Sequence, residues 1–259
     1  HSRSMLRAAA PRAAATTARR LPVRMMASPD AETARWTRAW TVEDIDADNR
    51  PRFDAARPSP ALADLLQRQP DLVAGRRVLV PGCGRGYDLP PLVRAGAVAA
   101  TGWDYVPAAS AAANAHLDTL LSSGAVTAAE RAAVRVECAD FFASPRPPFR
   151  FGAAYDYTFM CALPPSMRPA WAARYASLIE IGGVLITLIF PVQPPERASE
   201  PGPPWPVTPA EYQALLTAGG AFACEALARV PEPLSHKGRA GREWLGVWRR
   251  QGSGGGGKL

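Results

Sequence analysis

Lysine is almost missing from this sequence: of 259 residues, only Lys237 and Lys258 are lysines. Histidine is nearly as scarce, and none of His1, His116 and His236 stands near a cysteine or an acid in a recognisable catalytic dyad. The serine elbow G-x-S-x-G does not occur, which disfavours a Ser-His-Asp hydrolase. The four cysteines, Cys83, Cys138, Cys161 and Cys224, lie far apart and form no CxxC pair. Such spacing argues against a disulfide framework and a zinc site alike, so no metal is expected. Uncharged apolar runs all stay shorter than the ~18 residues of a membrane-spanning helix, and no membrane partner is expected either.

Acid is missing too, but only locally. Residues 1–29 hold six arginines and no Asp or Glu, and they account for nearly all of the +7 net charge. The rest of the chain is close to neutral and its arginines are scattered. A phosphate-binding surface needs basic charge concentrated on one face, so no nucleic-acid partner is expected. An acid-free segment rich in arginine and alanine is the composition of an organelle transit peptide, addressed to mitochondrion or plastid, or of a disordered leader. Met5 is the expected initiator, with residues 1–4 appended; a start at Met25 or Met26 would leave the chain in the cytoplasm. Residues 252–259 read as a flexible glycine-rich tail, and residues 30–251 as one domain, expected to be monomeric.

What is present is core-forming sequence: 47% of residues are apolar and 20% charged, enough to bury a full core. Helices are expected at Thr33–Trp40, Pro60–Gln69, Leu89–Ala95, Pro107–Ser122, Arg168–Ile179 and Thr208–Ala218. Strands are expected at Arg77–Val80, Ala99–Trp103, Val134–Cys138, Ala154–Met160, Val184–Phe190, Phe222–Val230 and Trp244–Trp248, with Gly182-Gly183 stopping the helix before the fifth. Strands alternating with helices imply an α/β Rossmann-like domain. Its central, mostly parallel seven-stranded sheet would carry helices on both faces.

Within Val78–Asp88 (VLVPGCGRGYD) a strand runs into glycines at 82, 84 and 86. Glycine there allows a tight turn and a close approach of backbone amides to a ligand. Asp104 follows Gly82 by 22 residues at the end of the next strand, where a carboxylate can accept both hydroxyls of a ribose. The dinucleotide fingerprint G-x-G-x-x-G fails, since its third glycine position falls on Tyr87 or Leu89. The G-x-G-x-G form points to S-adenosylmethionine instead. Asp140 and Phe141 close the third strand and read either as an adenine contact or as a cap with core aromatics. Asp156 and Tyr157 fall at the carboxyl edge of the fourth strand, where open α/β sheets bind ligands.

These residues resemble the thiol and halide methyltransferases of plants and fungi, within the thiopurine S-methyltransferase group of class I methyltransferases. The resemblance runs from Trp36 to about Arg249 and rests on LVPGCGRGYD, DYTFMCALPPSMRPAWA, GGVLITLIFP and GPPWPV. It implies S-adenosylmethionine as cofactor. Trp36 and Trp40, with Phe53 as a third aromatic, would close over it. Gly82 and Gly84 would line the turn, Asp104 would take the ribose, Asp140 and Phe141 would flank the adenine, and Tyr157 would lie near the methionine part. Phe190 stands where plant members carry a tyrosine beside a small anion, and His236-Lys237-Gly238 takes the place of an RKG-like motif, followed by extra residues.

The chemistry implied is methyl transfer to a small nucleophile, a thiol or sulfide before halide or thiocyanate, with Phe190 and Tyr157 on the acceptor side. An acceptor that is already an anion needs alignment, desolvation and a held sulfonium rather than a base. Three other readings stand beside this one: a cofactor-binding pseudoenzyme, motivated by Phe190 and Phe53, a methyltransferase with a different small-molecule acceptor, and a nicotinamide-dependent oxidoreductase.

Overall fold

The computed structural model describes residues 29–41, 51, 53–193 and 202–252. Residues 1–28, 42–50, 52, 194–201 and 253–259 lie outside the described residues, and with them the expected leader and most of the expected tail. Seven strands form one sheet: β1 (Arg77–Pro81), β2 (Ala99–Asp104), β3 (Val134–Cys138), β4 (Phe151–Tyr157), β5 (Ile179–Ile189), β6 (Phe222–Arg229) and β7 (Trp244–Arg250). Their order is β3-β2-β1-β4-β5-β7-β6. The first five run parallel, and β7 lies antiparallel to both β5 and β6. This is the Rossmann-like sheet expected from the alternation of elements.

Side chains of the central strands are buried on both faces. Val78 and Val80 join one core cluster with Leu62, Leu65 and Leu66 of α2 (Pro60–Arg68) and Leu89 and Leu92 of α3 (Leu89–Arg94). Leu79 points the other way, into a cluster with Trp171 and Tyr175 of α6 (Arg168–Leu178) and Tyr212 of α7 (Pro209–Thr217). That is the period of two of a strand with helices above and below it. Because β2 and β4 leave β1 in opposite directions, the crevice at the carboxyl ends of β1, β2 and β4 is the switch point where such sheets bind ligands.

Three expectations are corrected. β4 starts at Phe151 and ends at Tyr157, three residues early, because Thr158 takes a positive φ of 58° and Met160–Ala162 turn as a short 3-10 helix. Asp156 points away from the crevice: its Oδ2 accepts from Trp171 Nε1 at 2.7 Å and from Tyr175 Oη at 3.0 Å, tying β4 to α6. Gly182-Gly183 does not stop a helix but lies inside β5, which begins directly after α6. A Cβ at Gly183 would sit 2.6 Å from Ile179 Cγ2 and 2.8 Å from the Gly152 carbonyl, so only glycine fits that crossing.

α1 (Pro29–Thr41) begins earlier than expected, and α4 (Pro107–Ser122) has the expected span. α5 (Ala128–Ala133) is additional. Its signal was present as a capping box, in which Thr127 Oγ1 accepts from Glu130 N while the Glu130 carboxylate accepts from Thr127 N.

Candidate active site

A cleft of about 1450 Å³ opens over the carboxyl ends of β1, β2, β4 and β5. One end of it is built on a glycine turn and a strand-end carboxylate. Gly82, Gly84 and Gly86 adopt φ of 59°, 52° and 71°, a region that L side chains avoid. A Cβ on Gly82 would lie 2.6 Å from Phe159 Cδ2, so the turn is also closed to larger residues by packing. Asp104 is 8% exposed at the end of β2; its Oδ2 accepts from Gly84 N at 3.2 Å and its Oδ1 from Val106 N at 3.0 Å. Burial raises its pKa to about 6 against those two hydrogen bonds, so the carboxylate is ionised at neutral pH.

Asp140 and Phe141 lie together on the cleft wall after β3. Asp140 Oδ1 accepts from Phe142 N at 2.7 Å and from Ala143 N at 3.2 Å, so it caps the turn that aims Phe141 inward. Phe141 is only 3% exposed and packs edge-on to Phe142 and Phe159. Both the cap and the core aromatic are therefore present at the lining of the cleft.

The front wall is aromatic. Half-buried Trp36 and Trp40, one helical turn apart on α1, meet the exposed Phe53 edge-on at centroid distances of 5.9 and 5.7 Å. The Phe53–Asp54 segment is pinned from several sides. Asp54 accepts from Tyr87 Oη at 3.2 Å and pairs with Arg85 at 3.0 Å, while the Phe53 carbonyl accepts from Arg239 Nη2 at 2.9 Å.

Arg239 organises the other end of the cleft. Besides the Phe53 carbonyl, its guanidinium donates to Tyr157 Oη and lies 5.2 Å from the Tyr157 ring and 4.7 Å from the Phe190 ring. Arg242 approaches the Phe190 ring at 5.1 Å. Tyr157 donates in turn to Glu243 Oε1 at 2.6 Å, and His236 stacks on its ring with an interplanar angle of 6°. Burial together with Arg239 and Arg57 pushes the His236 pKa down to about 4, so its imidazole is neutral.

Apart from Asp156, the sequence-predicted residues, Trp36, Trp40, Phe53, Gly82, Gly84, Asp104, Asp140, Phe141, Tyr157 and Phe190, all line this one cleft. Arg239, Arg242 and Glu243 were missed. They belong to the residues that follow His236-Lys237-Gly238. There Gly238 and Gly241 turn at φ of 79° and 78° and bring two arginines onto Phe190. A glycine-spaced arginine pair, G-R-A-G-R, was the available signal.

Sheet order, glycine turn and strand-end carboxylate together define an S-adenosylmethionine-dependent methyltransferase of the Rossmann-like class. Solved structures share this fold: a glycopeptide N-methyltransferase in complex with S-adenosylmethionine superposes with a TM-score of 0.57 at 16% identity, over 76% of this chain and 95% of that one.

 The chain belongs to the thiopurine S-methyltransferase family, whose model matches residues 31–248. Among its relatives, "Probable thiol methyltransferase 2" of Arabidopsis thaliana is 33% identical over 226 residues, 83% of this chain and 84% of that protein. "Thiocyanate methyltransferase 1" of Brassica oleracea is 30% identical over 219 residues, 85% of this chain and 86% of that protein. The nicotinamide and pseudoenzyme readings fall with this membership. The cofactor is S-adenosylmethionine, and the residues present suit it: a glycine-rich turn for close approach, a buried carboxylate at the strand end, and aromatic faces for a sulfonium.

Proposed function

We propose that the chain methylates the sulfur of a small thiol or of hydrosulfide, with thiocyanate and halides as poorer acceptors. The observation that carries this reading is Arg239. Its guanidinium is fixed at the acceptor end by a phenol, a backbone carbonyl and two rings, with no carboxylate in ion-pair contact among the described residues. A held cation in an aromatic-walled cleft suits a soft anion. The relatives' names, for thiols and thiocyanate, support the same class.

In this reading Asp104 accepts the ribose hydroxyls, the amides around Gly82 and Gly84 approach the cofactor, and Asp140 and Phe141 flank the adenine. Trp36, Trp40 and Phe53 cover the cleft, and Tyr157 and Phe190 form the acceptor walls. Bound S-adenosylmethionine supplies a methyl on a sulfonium. The chain's own residues align the acceptor, exclude water from it and hold positive charge by cation–π attraction, ~0.5–2 kcal/mol per ring.

Labelled methyl transfer to a panel of thiols, hydrosulfide, thiocyanate, iodide and chloride tests the reading. Thiols should lead, and chloride ahead of every thiol would overturn it. The arginine-rich leader, in the same reading, addresses a monomeric enzyme to mitochondrion or plastid. A fluorescent fusion of residues 1–29 and light scattering on the full chain test those two points; a diffuse cytoplasmic signal or a dimer mass would contradict them.

A further inference from the structure

The polar cluster behind the acceptor end holds more than the binding of an anion requires. Glu243, the residue before β7, is 1% exposed. Its Oε1 accepts from Tyr157 Oη at 2.6 Å, and its Oε2 has no hydrogen-bond partner among the described residues. A buried carboxylate that is only half satisfied is costly to keep, and such groups concentrate where chemistry uses them. Tyr157 connects it to the cleft, since the same phenol lines the acceptor end and also accepts from Arg239.

The groups around the pair are Tyr155 and Tyr157 on β4, Asp88 ahead of α3, and His236 and Arg239 in the segment before β7. His236 is buried with Nε2 unpartnered among the described residues, and its lowered pKa removes it as a cation. Asp88 accepts from Ser59 N at 2.7 Å, and burial raises its pKa to about 6. Burial likewise holds the Tyr157 phenol far above its ordinary range, so it does not ionise on its own, although it can pass a proton along.

We propose that Glu243, acting through Tyr157, receives the proton of a neutral thiol, so that un-ionised alkyl thiols and hydrogen sulfide serve as acceptors alongside ready-made anions. The acceptor's S–H bond breaks and its proton goes to Tyr157 Oη as the phenol's own proton moves to Glu243 Oε1. The sulfur electron pair thus released forms the new S–CH3 bond. The methyl's bond to the sulfonium breaks, leaving its electron pair on the departing sulfur. The Glu243 proton returns to solvent after release of product. Arg239, in contact with the phenol oxygen, stabilises the negative charge that develops there. Glu243 touches no reacting atom and is a positioning residue. This inference rests on the acceptor reading above.

Two acceptors separate it from a structural role: an alkyl thiol that is un-ionised near neutral pH, and a nitro-substituted aryl thiol that is already a thiolate. In Glu243→Gln the ratio of kcat/KM for the alkyl thiol to that for the aryl thiol should fall about a hundredfold near neutral pH. The ratio should recover as pH rises and the alkyl thiol ionises. Tyr157→Phe should lower the same ratio, and it carries the test if Glu243→Gln does not fold, which melting and a cofactor titration report. An unchanged ratio in the folded variants, or one that does not recover with pH, overturns the inference. A parent enzyme that methylates neither thiol overturns the acceptor reading itself, a result distinguishable from the first.

Discussion

At the end of the cleft proposed to hold the methyl donor, the glycine turn and the carboxylate come from one stretch of chain, residues 78 to 106. At the other end, proposed to hold the acceptor, groups from positions as far apart as 53 and 239 meet, the Arg239 guanidinium donating to the Phe53 carbonyl. The donor end is held by local hydrogen bonds, Gly84 N and Val106 N to Asp104. The acceptor end is held by long-range contacts through one guanidinium and one phenol. The contrast teaches a division of labour. In the proposed function, the cofactor is bound by turn geometry that tolerates little change, whereas the acceptor is chosen by side chains that can be exchanged one at a time.

The largest expected effect is on the donor end. Asp104→Ala should weaken S-adenosylmethionine binding by about tenfold to a hundredfold, the worth of ~1.5–3 kcal/mol for hydrogen bonds to a charged group, with the fold retained. Calorimetric titration measures it, and an unchanged Kd would remove Asp104 from the ribose. Arg239→Met should act on the other end, raising the KM for a thiolate about tenfold while the cofactor Kd stays within about twofold. Equal losses of both would erase the distinction between the two ends.

The donor end should also respond to pH. Asp104 loses its charge as pH falls through about 6, so cofactor affinity should drop across that range and level off above it, with Asp104→Asn removing the inflection. Stability carries the opposite sign. A carboxyl whose folded pKa is raised above the unfolded ~3.9 contributes stability that is full below that value and lost as pH rises through the folded one. Cofactor titrations at several pH values, beside melting curves of the free protein and Asp104→Asn, should show the two trends diverge for this residue.

The smallest expected effect is at Phe190. Its ring lies under Arg239 and Arg242 but carries no donor of its own. Phe190→Tyr adds a hydroxyl and should shift the ratio of kcat/KM from thiol towards iodide by up to about tenfold. An unchanged ratio would leave Phe190 as part of the wall alone.

The same contrast governs what the sequence makes legible. Gly82, Gly84 and Asp104 declare themselves because turn, spacing and strand end lie within one βαβ unit. The sheet follows from the alternation of apolar runs. β4 was displaced by three residues because the apolar run continues past Tyr157, and only the positive φ of Thr158 breaks the strand. Asp156 was misplaced for a related reason: alternation does not say which face receives Trp171 and Tyr175. Arg239 and Glu243 stayed hidden because their partners Tyr157 and Phe53 are 82, 86 and 186 residues away.

The central claim is that the cleft has a donor end built on the glycine turn and Asp104 and an Arg239-centred acceptor end that act independently, and a double-mutant cycle tests it most directly. The kcat/KM for an aryl thiolate would be measured at limiting cofactor and acceptor in the parent, Asp104→Ala, Arg239→Met and the double variant. Independent ends predict losses that add within about 0.5 kcal/mol. A coupling well above that, on the order of 1–3 kcal/mol, would show that Asp104 and Arg239 work as one unit and would contradict the division between the two ends.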